Sequence, residues 1–325
     1  MSVEGKPQQR GRVVLGGAGG FMGGYLAKRY GDQGREVVTI GRSGADLRWG
    51  DAQGIAAAVD GADLVVGLAG KSVNCRYNEA NRAEIFRSRL DTTSQLSDAI
   101  ATAAAPPRLW VNSSTATIYR HAEDRPMTES AGDIGAGFSV EVAKAWERAL
   151  FAGELPNTRR VALRSAIVLG DGGVLGPIKR LAKLGLGGAQ HDGRWPVTKA
   201  RVAAGTAHYP GARRGAQRFS WVHIEDVARI LDFVETHPEL DGPVNASAPN
   251  PSDNRGFMAS VRRVLGTPFG PPMPRWMLEL GAIGIRTETE LVLKSRWVLP
   301  EKLQAAGFEF AHPELERALR EIWGR

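Results

Sequence analysis

Cysteine is nearly absent from this chain, because only Cys75 among its 325 residues carries a thiol. A single cysteine excludes an internal disulfide and leaves no thiolate cluster for a structural metal. Runs of about 18 or more consecutive apolar residues are also missing, so we expect no transmembrane helix. The first twelve residues, MSVEGKPQQRGR, lack the apolar stretch of a secretory signal, and we interpret them as a frayed leader. These absences favour a protein of the reducing cytoplasm.

The residues that are abundant are those of an ordinary globular protein. Hydrophobic residues make up 42% of the chain, which is enough to bury a substantial core. The length suits one large α/β domain, or one domain with a smaller lobe. The formal net charge of +7 suits an anionic ligand or nucleic acid.

Glycines near the start of the chain have the spacing of a dinucleotide-binding turn. Segment 12–26, RVVLGGAGGFMGGYL, predicts a short buried strand, a glycine turn and the first turn of a helix. Its glycines at 17, 20 and 23 would allow the tight turn, the approach of a pyrophosphate and close packing of helix on strand. The helix N-terminus would offer N–H groups and partial positive charge to the phosphates. The alternative is a merely structural turn. The residues that we expect to bind the cofactor here are Gly17, Gly20, Phe21, Met22 and Gly23.

The end of the second predicted strand indicates which cofactor binds. This strand spans 36–40 and is followed by Gly41-Arg42-Ser43, with the nearest acid further on at Asp46. NAD-binding folds place an acid near this point to bind the ribose 2′-hydroxyl. A guanidinium beside a hydroxyl instead suits a 2′-phosphate. We therefore expect Arg42 and Ser43 to favour NADP(H), with NAD(H) still possible; the alternative is a solvated loop arginine.

Further apolar runs alternate with helical stretches. The pattern predicts an α/β protein with a Rossmann-type, doubly wound parallel sheet. The run 63–69 suits a central strand, and small residues at its end lie where a cofactor backbone would pass. These residues are Leu68, Ala69 and Gly70. The fourth predicted strand, 108–113, leads into the hydroxyl-rich segment 113–119, SSTATIY. Since ligands bind at the carboxyl ends of such strands, Ser113 and its neighbours are either ligand contacts or a plain strand exit.

Several ordered motifs resemble the extended short-chain dehydrogenase/reductase superfamily, and more closely its "epimerase family" proteins with a DUF1731-type C-terminal segment. The resemblance runs from about residue 12 to the C-terminus. The end of the chain, LVLKSRWVLPEKLQAAGFEFAHPELERALREI, is similar to that C-terminal segment. The other motifs are GGAGGFMGGYL, DLVVGLAGKSV, SSTATIY, LRSAIVLGDGG, GLGG, FSWVHIEDVA and GPVNASAPNPSDN.

The resemblance implies a catalytic Ser or Thr, with a Tyr and a Lys spaced as Y-x-x-x-K on one helix. In that chemistry the Tyr exchanges a proton with the substrate oxygen while the nicotinamide exchanges a hydride. Thr115 matches the hydroxyl position and Lys144 matches the Lys, which also contacts the nicotinamide ribose, but Val140 occupies the Tyr position. Tyr119 is the nearest candidate replacement, followed by Glu141 or His191; weak acid catalysis by Thr115 or water is another account, and binding of the cofactor without turnover a third.

The same resemblance implies two lobes and leaves the enzyme class broad. We expect 1–175, joined by 219–245, to form the cofactor domain, and 176–218 with 246–325 to form a substrate lobe. The favoured function is an NADP(H)-dependent oxidoreductase or epimerase-like enzyme acting on a small, sugar-like or anionic substrate. The alternative is an NADP(H)-binding or sensing protein with little or no turnover.

A basic stretch at 189–219 has no helical or strand period. Residues 191–220 carry six Lys or Arg side chains against Asp192 alone. Such a loop could be a lid that recruits an anionic substrate, a mobile solvated loop, or a subunit contact in a homodimer. Nucleic-acid binding, with Trp195 and Tyr209 available for stacking, is disfavoured because no nucleic-acid-binding motif is present. We also expect no metal, because His223 has no second His or Cys at ligand spacing.

Overall fold

A computed structural model of the protein describes residues 10–208, 211, 213–284 and 288–324. The expected leader falls largely in residues 1–9, and Tyr209 also lies outside the described residues. Eleven strands are present in the described part of the chain. They are β1 (Arg10–Gly16), β2 (Arg35–Gly41), β3 (Leu47–Arg48), β4 (Leu64–Gly67), β5 (Leu109–Thr115), β6 (Arg159–Ser165), β7 (Ile167–Leu169), β8 (Arg218–Phe219), β9 (Trp221–His223), β10 (Gly242–Ala246) and β11 (Ser252–Asp253).

Twelve α-helices accompany these strands within the same described ranges, together with a 3-10 turn at Ala116–Ile118 directly after β5. The helices are α1 (Phe21–Asp32), α2 (Ala52–Val59), α3 (Glu79–Thr102), α4 (Phe138–Phe151), α5 (Leu175–Lys183), α6 (Lys199–Ala203), α7 (Ile224–Thr236), α8 (Asn254–Leu265), α9 (Arg275–Gly284), α10 (Glu290–Leu293), α11 (Glu301–Ala305) and α12 (Leu315–Ile322). Among them, none has both the length and the apolar character needed to cross a bilayer.

Seven strands form one sheet in the order β10-β6-β5-β4-β1-β2-β3, and every neighbouring pair in it is parallel. The chain runs outwards from β1 in both directions, so the strand order reverses between β1 and β4. The predicted Rossmann-type doubly wound sheet is therefore confirmed, and its switch point lies beside the glycine turn.

Both faces of the sheet are covered, as the near-continuous apolar strands require. Val14, Val65 and Trp110 pack with α2 and α3 on one face. Leu15 and Val66 point to the other face, where α1 and α7 cover them.

Two apolar segments of the chain are each divided between two strands by a change of partner. Residues 159–169 form β6 followed by β7, because Ala166 N donates to Ala246 O (2.9 Å) and the chain then turns to pair β7 with β9. Residues 218–223 are divided between β8, which pairs with β11, and β9. The two-residue strand β3 was not predicted, since a pair of residues carries no periodic signal.

The C-terminal segment is partly built into the core of the large sheet. Leu303 and Phe308 belong to the same buried cluster as Leu15 and Val244. A separate cluster around Trp221 and other residues lies between α5, α8 and α12. The proposed division into two lobes stays a prediction.

Candidate functional site

The glycine turn between β1 and α1 combines two tightly packed glycines with an open one. Gly17 has φ +92°, and a Cβ there would lie 2.9 Å from Ala69 N. A Cβ on Gly23 would overlap the Gly17 carbonyl oxygen and approach Ala18 Cα to 2.7 Å. A Cβ on Gly20 would meet nothing closer than Gly17 O at 3.5 Å. The turn therefore presents an exposed backbone cradle at Gly20 that a side chain would fill, which is the fit a pyrophosphate requires.

The first turn of α1 follows directly from this cradle. Gly20 is the N-cap and supplies no capping side chain, so the N–H groups of the first turn are left for a ligand. The Phe21 ring packs against the glycine loop after β7, where a Cβ on Gly172 would lie 3.3 Å from the ring. Met22 packs against the main core. The side chains of Phe21 and Met22 thus fix the helix, while their backbone faces the cradle region.

The end of β2 leaves a guanidinium without a protein partner. Arg42 and Ser43 are exposed, and the Arg42 side chain makes no hydrogen bond or ion pair with any residue in the described ranges. The nearby acid Asp46 accepts hydrogen bonds from Thr39 N (2.8 Å) and Thr39 Oγ1 (2.7 Å), which lower its pKa. Thr39 on β2 therefore engages Oδ2 of Asp46, the nearest acid that could bind a ribose 2′-hydroxyl.

The end of β4 lies next to the same turn. Leu68 N donates to Gly16 O (2.7 Å), and Ala69 contacts Gly17. Gly70 is exposed and lies over the Arg89 side chain. The Arg89 guanidinium donates to Lys71 O and Ile85 O and stacks on the Trp146 ring. Burial lowers the pKa of Arg89 to about 10. No local sequence pattern indicates this support, because the burial of Arg89 depends on its contact with Trp146 on α4.

The hydroxyl side chains at the end of β5 point to alternate faces of the strand. Ser113 and Thr115 share one face, whereas Ser114 donates to Glu147 Oε1 (2.6 Å) on the other. Thr115 Oγ1 accepts a hydrogen bond from Thr117 N (3.1 Å) and caps the 3-10 turn. Since the backbone N–H is the donor, the Thr115 hydroxyl keeps its own proton for a further partner.

Tyr119 lies in a buried polar network. Its hydroxyl donates to Asn245 Oδ1 (3.0 Å) and accepts from Arg164 Nη1 (2.9 Å). Burial raises the pKa of Tyr119, against the opposing effect of Arg164. Two protein partners and a raised pKa suit a structural role better than that of a proton donor, and the catalytic assignment of Tyr119 stays a prediction.

The helix α4 carries the Lys but presents no hydroxyl four residues earlier. Lys144 is half-exposed and donates to Glu141 Oε1 (2.9 Å). Val140 is fully buried. The ammonium group of Lys144 has donors left beside the one that Glu141 uses, and its contact with a ribose stays a prediction.

The basic stretch is tied down by buried ion pairs. Asp192 accepts from Arg275 Nη1 (2.9 Å) and is paired with His208 Nε2 (2.8 Å). Arg201 bridges to Glu288 (3.1 Å) and Glu279 (3.7 Å). These contacts do not suit a mobile solvated loop over residues 189–208, while the lid and subunit-contact interpretations stay open.

Three potential metal ligands lie close together, although one of them comes from a distant part of the sequence. The ligand atoms of His223, Glu225 and His312 lie within 4.8 Å of one another. Glu225 N donates to His223 Nδ1 (3.2 Å), which places the proton of the neutral ring on Nε2. His312 Nε2 is in turn bonded to Glu225 Oε2 (2.9 Å). Local hydrogen bonds account for this cluster; the spacing argument against a second histidine was wrong, and the absence of a metal stays a prediction.

A surface cavity of about 580 Å³ lies at the amino-terminal ends of the strands of the large sheet, opposite the glycine turn. Asp63, Arg108 and Arg159 line it and precede or begin β4, β5 and β6. Ligands of open α/β sheets bind at the carboxyl ends instead. We therefore locate the candidate site at the glycine turn.

The fold and this turn define the class: a Rossmann-type α/β protein with a dinucleotide-type glycine turn at the switch point of its sheet. A sequence model of the NAD dependent epimerase/dehydratase family matches residues 13–138, and that of a domain of unknown function, DUF1731, matches residues 273–322.

Proteins that are similar to this chain over almost its whole length identify its family within this class. Epimerase family protein SDR39U1 of Bos taurus is 32% identical over 320 residues, covering 96% of this chain and 99% of the relative. Epimerase family protein YfhF of Bacillus subtilis (strain 168) is 26% identical over 95% of this chain and 97% of its own. The crystal structure of human epimerase family protein SDR39U1 (isoform 2) with NADPH has a TM-score of 0.82 at 29% identity, covering 97% of this chain and 99% of that chain. The chain belongs to this epimerase family of the extended short-chain dehydrogenase/reductase type, as its motifs predicted.

Proposed function

We propose that the chain is an NADP(H)-dependent oxidoreductase or epimerase-like enzyme that acts on a small substrate. The observation that carries this proposal is the open backbone at Gly20, in front of the uncapped N-terminus of α1 and beside the switch point. The NADPH in the crystal structure of the human relative supports the same cofactor here.

The choice of NADP(H) rests on the end of β2. Arg42 is exposed and free of protein partners among the described residues, while Asp46 is occupied by Thr39. A free guanidinium can bind a 2′-phosphate through charge-assisted hydrogen bonds, and Ser43 can add a neutral one.

When bound, the nicotinamide supplies or accepts a hydride. Thr115 would orient the substrate oxygen, because its hydroxyl retains a proton to donate. With Val140 at the position of the usual Tyr, another group has to supply the proton, and Thr115 or water is the donor that we favour. We therefore expect slow turnover relative to enzymes with the complete trio.

The second candidate function is an NADP(H)-binding or sensing protein. The buried Val140 and the fully engaged hydroxyl of Tyr119 favour it, since neither offers an obvious proton donor. Both candidates require the same cofactor site and differ only in turnover.

Nucleotide binding is tested by titrating the purified protein with NADPH and NADH, followed by nicotinamide fluorescence and calorimetry. Arg42→Ala should weaken NADPH about tenfold to a hundredfold, the worth of a charged hydrogen bond, and leave NADH unchanged. Arg87→Ala, in an exposed pair with Glu84, is the matched control and should bind both as the wild type does. Equal weakening of both nucleotides by Arg42→Ala would remove the 2′-phosphate assignment, and no binding of either would overturn the cofactor site.

Turnover is tested by following NADPH oxidation with a panel of carbonyl substrates. Thr115→Val should lower the rate about a hundredfold, whereas Thr115→Ser retains the hydroxyl and much of the activity. Tyr119→Phe should retain activity in proportion to folded protein. Tight NADPH binding without oxidation by any substrate would favour the sensing protein.

A further inference from the structure

Lys294 and Arg296 are buried cations without a carboxylate partner. They lie between α10 and α11 and are only 7% and 8% exposed. Lys294 Nζ donates to Thr117 O (2.9 Å), and Arg296 Nε donates to Thr117 Oγ1 (3.1 Å). Arg296 Nη1 also donates to Leu291 O (3.0 Å). Within the described part of the chain, no carboxylate lies within 4.0 Å of either charged group.

This arrangement differs from that of the other buried arginines. Arg164 is paired with Glu147 at 2.7 Å, and Arg275 with Asp192 at 2.9 Å. Burial, with a smaller contribution from the nearby Arg296, lowers the pKa of Lys294 to about 8. Glu290, which lies beyond ion-pair distance, acts in the opposite direction and raises the pKa of both Lys294 and Arg296. Two desolvated cations therefore face one acid, and removing unpaired charges from water is costly.

The same place holds polar groups with unused hydrogen-bonding capacity. A Lys ammonium has three donors and an Arg guanidinium five, so most are not used by the contacts to neutral oxygens. The Tyr77 residue is 7% exposed, and its buried hydroxyl makes no hydrogen bond with the described residues. The buried hydroxyl of Ser139 lies near it without completing one. Unsatisfied buried hydroxyls are rare, so these two favour a polar group of a ligand as their partner.

These groups gather beside the proposed reaction site. Thr117 lies two residues beyond Thr115, at the carboxyl end of β5. Tyr77 belongs to the segment between β4 and α3, and it is near enough to Arg296 to raise the pKa of that guanidinium against burial. Ser139 directly precedes Val140 on α4. The C-terminal segment thus brings positive charge to the edge of the sheet where ligands bind.

We propose that Lys294, Arg296 and Tyr77, the anion subsite, bind a carboxylate or phosphate group of the substrate. The proposal rests on the proposed function and specifies the substrate class of that site. The oxygens of such a group would accept the unused N–H and O–H donors and supply the charge that the protein lacks there. In this view anion recognition belongs to the C-terminal segment and not to the basic stretch, where Arg201 is already paired.

The test is thermal unfolding without nucleotide, in sodium chloride that is replaced at constant ionic strength by sodium phosphate or by sodium acetate. The wild-type midpoint should rise by about 2–4 °C with the anion that fits. The group is assigned from the part of the rise that the variant Lys294→Met loses: a larger loss with phosphate assigns a phosphate group, and a larger loss with acetate assigns a carboxylate.

Lys294→Met removes one unpaired charge. Its midpoint in chloride should be higher than that of the wild type, and the additional rise with phosphate or acetate should be lost. Because phosphate stabilises proteins in general, the readout is the difference between this variant and the wild type. Lys199→Met, an exposed lysine in the basic stretch, is the matched control and should respond as the wild type does. Tyr77→Phe, which removes a hydroxyl that the fold does not use, should fold normally and respond less.

The subsite is overturned if wild type, Lys294→Met and Tyr77→Phe show the same response to both anions. It is equally overturned if Lys199→Met loses the response, because the anion would then bind the basic stretch. Since no nucleotide is present, this failure is distinct from failure of NADPH binding or turnover.

Discussion

The pair of Arg164 and Glu147 shows how single residues hold the site together. Arg164 on β6 donates to both Glu147 oxygens on α4, at 2.8 and 2.7 Å, and to the Tyr119 hydroxyl. Glu147 also accepts from Ser114 on β5. The network joins the helix that carries Lys144 to the strand that ends at Thr115, so it fixes these two elements relative to each other.

We expect Arg164→Met to destabilise the protein by about 3–5 kcal/mol, because it leaves the Glu147 carboxylate buried and unpaired. Chemical denaturation followed by circular dichroism measures the loss. The double variant Arg164→Met with Glu147→Gln should lose less than Arg164→Met alone, since no unpaired charge remains.

The matched control is Lys28→Met, which removes the cation of the exposed pair with Asp32. Exposed pairs contribute little, so this variant should unfold close to the wild type. If Arg164→Met is no less stable than Lys28→Met, the network does not hold α4 against the sheet.

In the unit formed by β1, the glycine turn and α1, neighbouring glycines have different structural roles. Gly17 and Gly23 let backbone segments approach each other, whereas Gly20 leaves space on the outer side. Gly20 has φ −88°, a conformation open to any residue, so its backbone does not require glycine. Its smallness matters only for a ligand.

Gly20→Ala should therefore separate binding from stability. We expect a loss of stability below about 1 kcal/mol, as for other changes at an N-cap glycine. NADPH affinity should fall strongly, because the added methyl occupies the space in front of α1. Gly23→Ala should instead cost about 1–3 kcal/mol through overlap with Gly17 O. Denaturation and NADPH titration of both variants measure the difference, and normal NADPH binding by Gly20→Ala would show that the cradle is not the phosphate site.

On the scale of the whole molecule, the C-terminal segment completes the core of the large sheet. Leu303 on α11 is fully buried in the cluster that also holds Val244 and the apolar face of α7. Phe308 forms an edge-to-face pair with Phe233. The large sheet and the C-terminal segment therefore share one core, and we expect them to unfold together.

Leu303→Ala should lower the free energy of unfolding by about 2–5 kcal/mol through the cavity it creates. Unfolding should remain a single transition, with far- and near-ultraviolet circular dichroism changing together. Leu184→Ala, at a leucine that is 76% exposed, is the control and should change stability by less than about 0.5 kcal/mol. Two separate unfolding transitions, with the far- and near-ultraviolet signals changing at different denaturant concentrations, would show that the C-terminal segment unfolds independently of the sheet.

Local patterns in the sequence were sufficient for the sheet and for the glycine turn. Apolar strands alternate with helices, and the turn requires glycine at close-packed backbone positions such as 17 and 23. These signals lie within short segments, where neighbouring residues impose the conformation. The position of Arg42 directly after a strand follows from the same local signals, whereas its contact with a 2′-phosphate stays a prediction.

The tertiary structure alone decided which side chains are occupied and which are left for a ligand. Tyr119 looked available until β6 and β10 placed Arg164 and Asn245 against its hydroxyl. His312 meets His223, with 3.9 Å between ring centroids, although 89 positions separate them. The unpaired state of Lys294 and Arg296 follows from burial against Thr117 on a distant element. Hydrogen bonding and desolvation depend on neighbours across the fold, so no short segment of sequence contains this information.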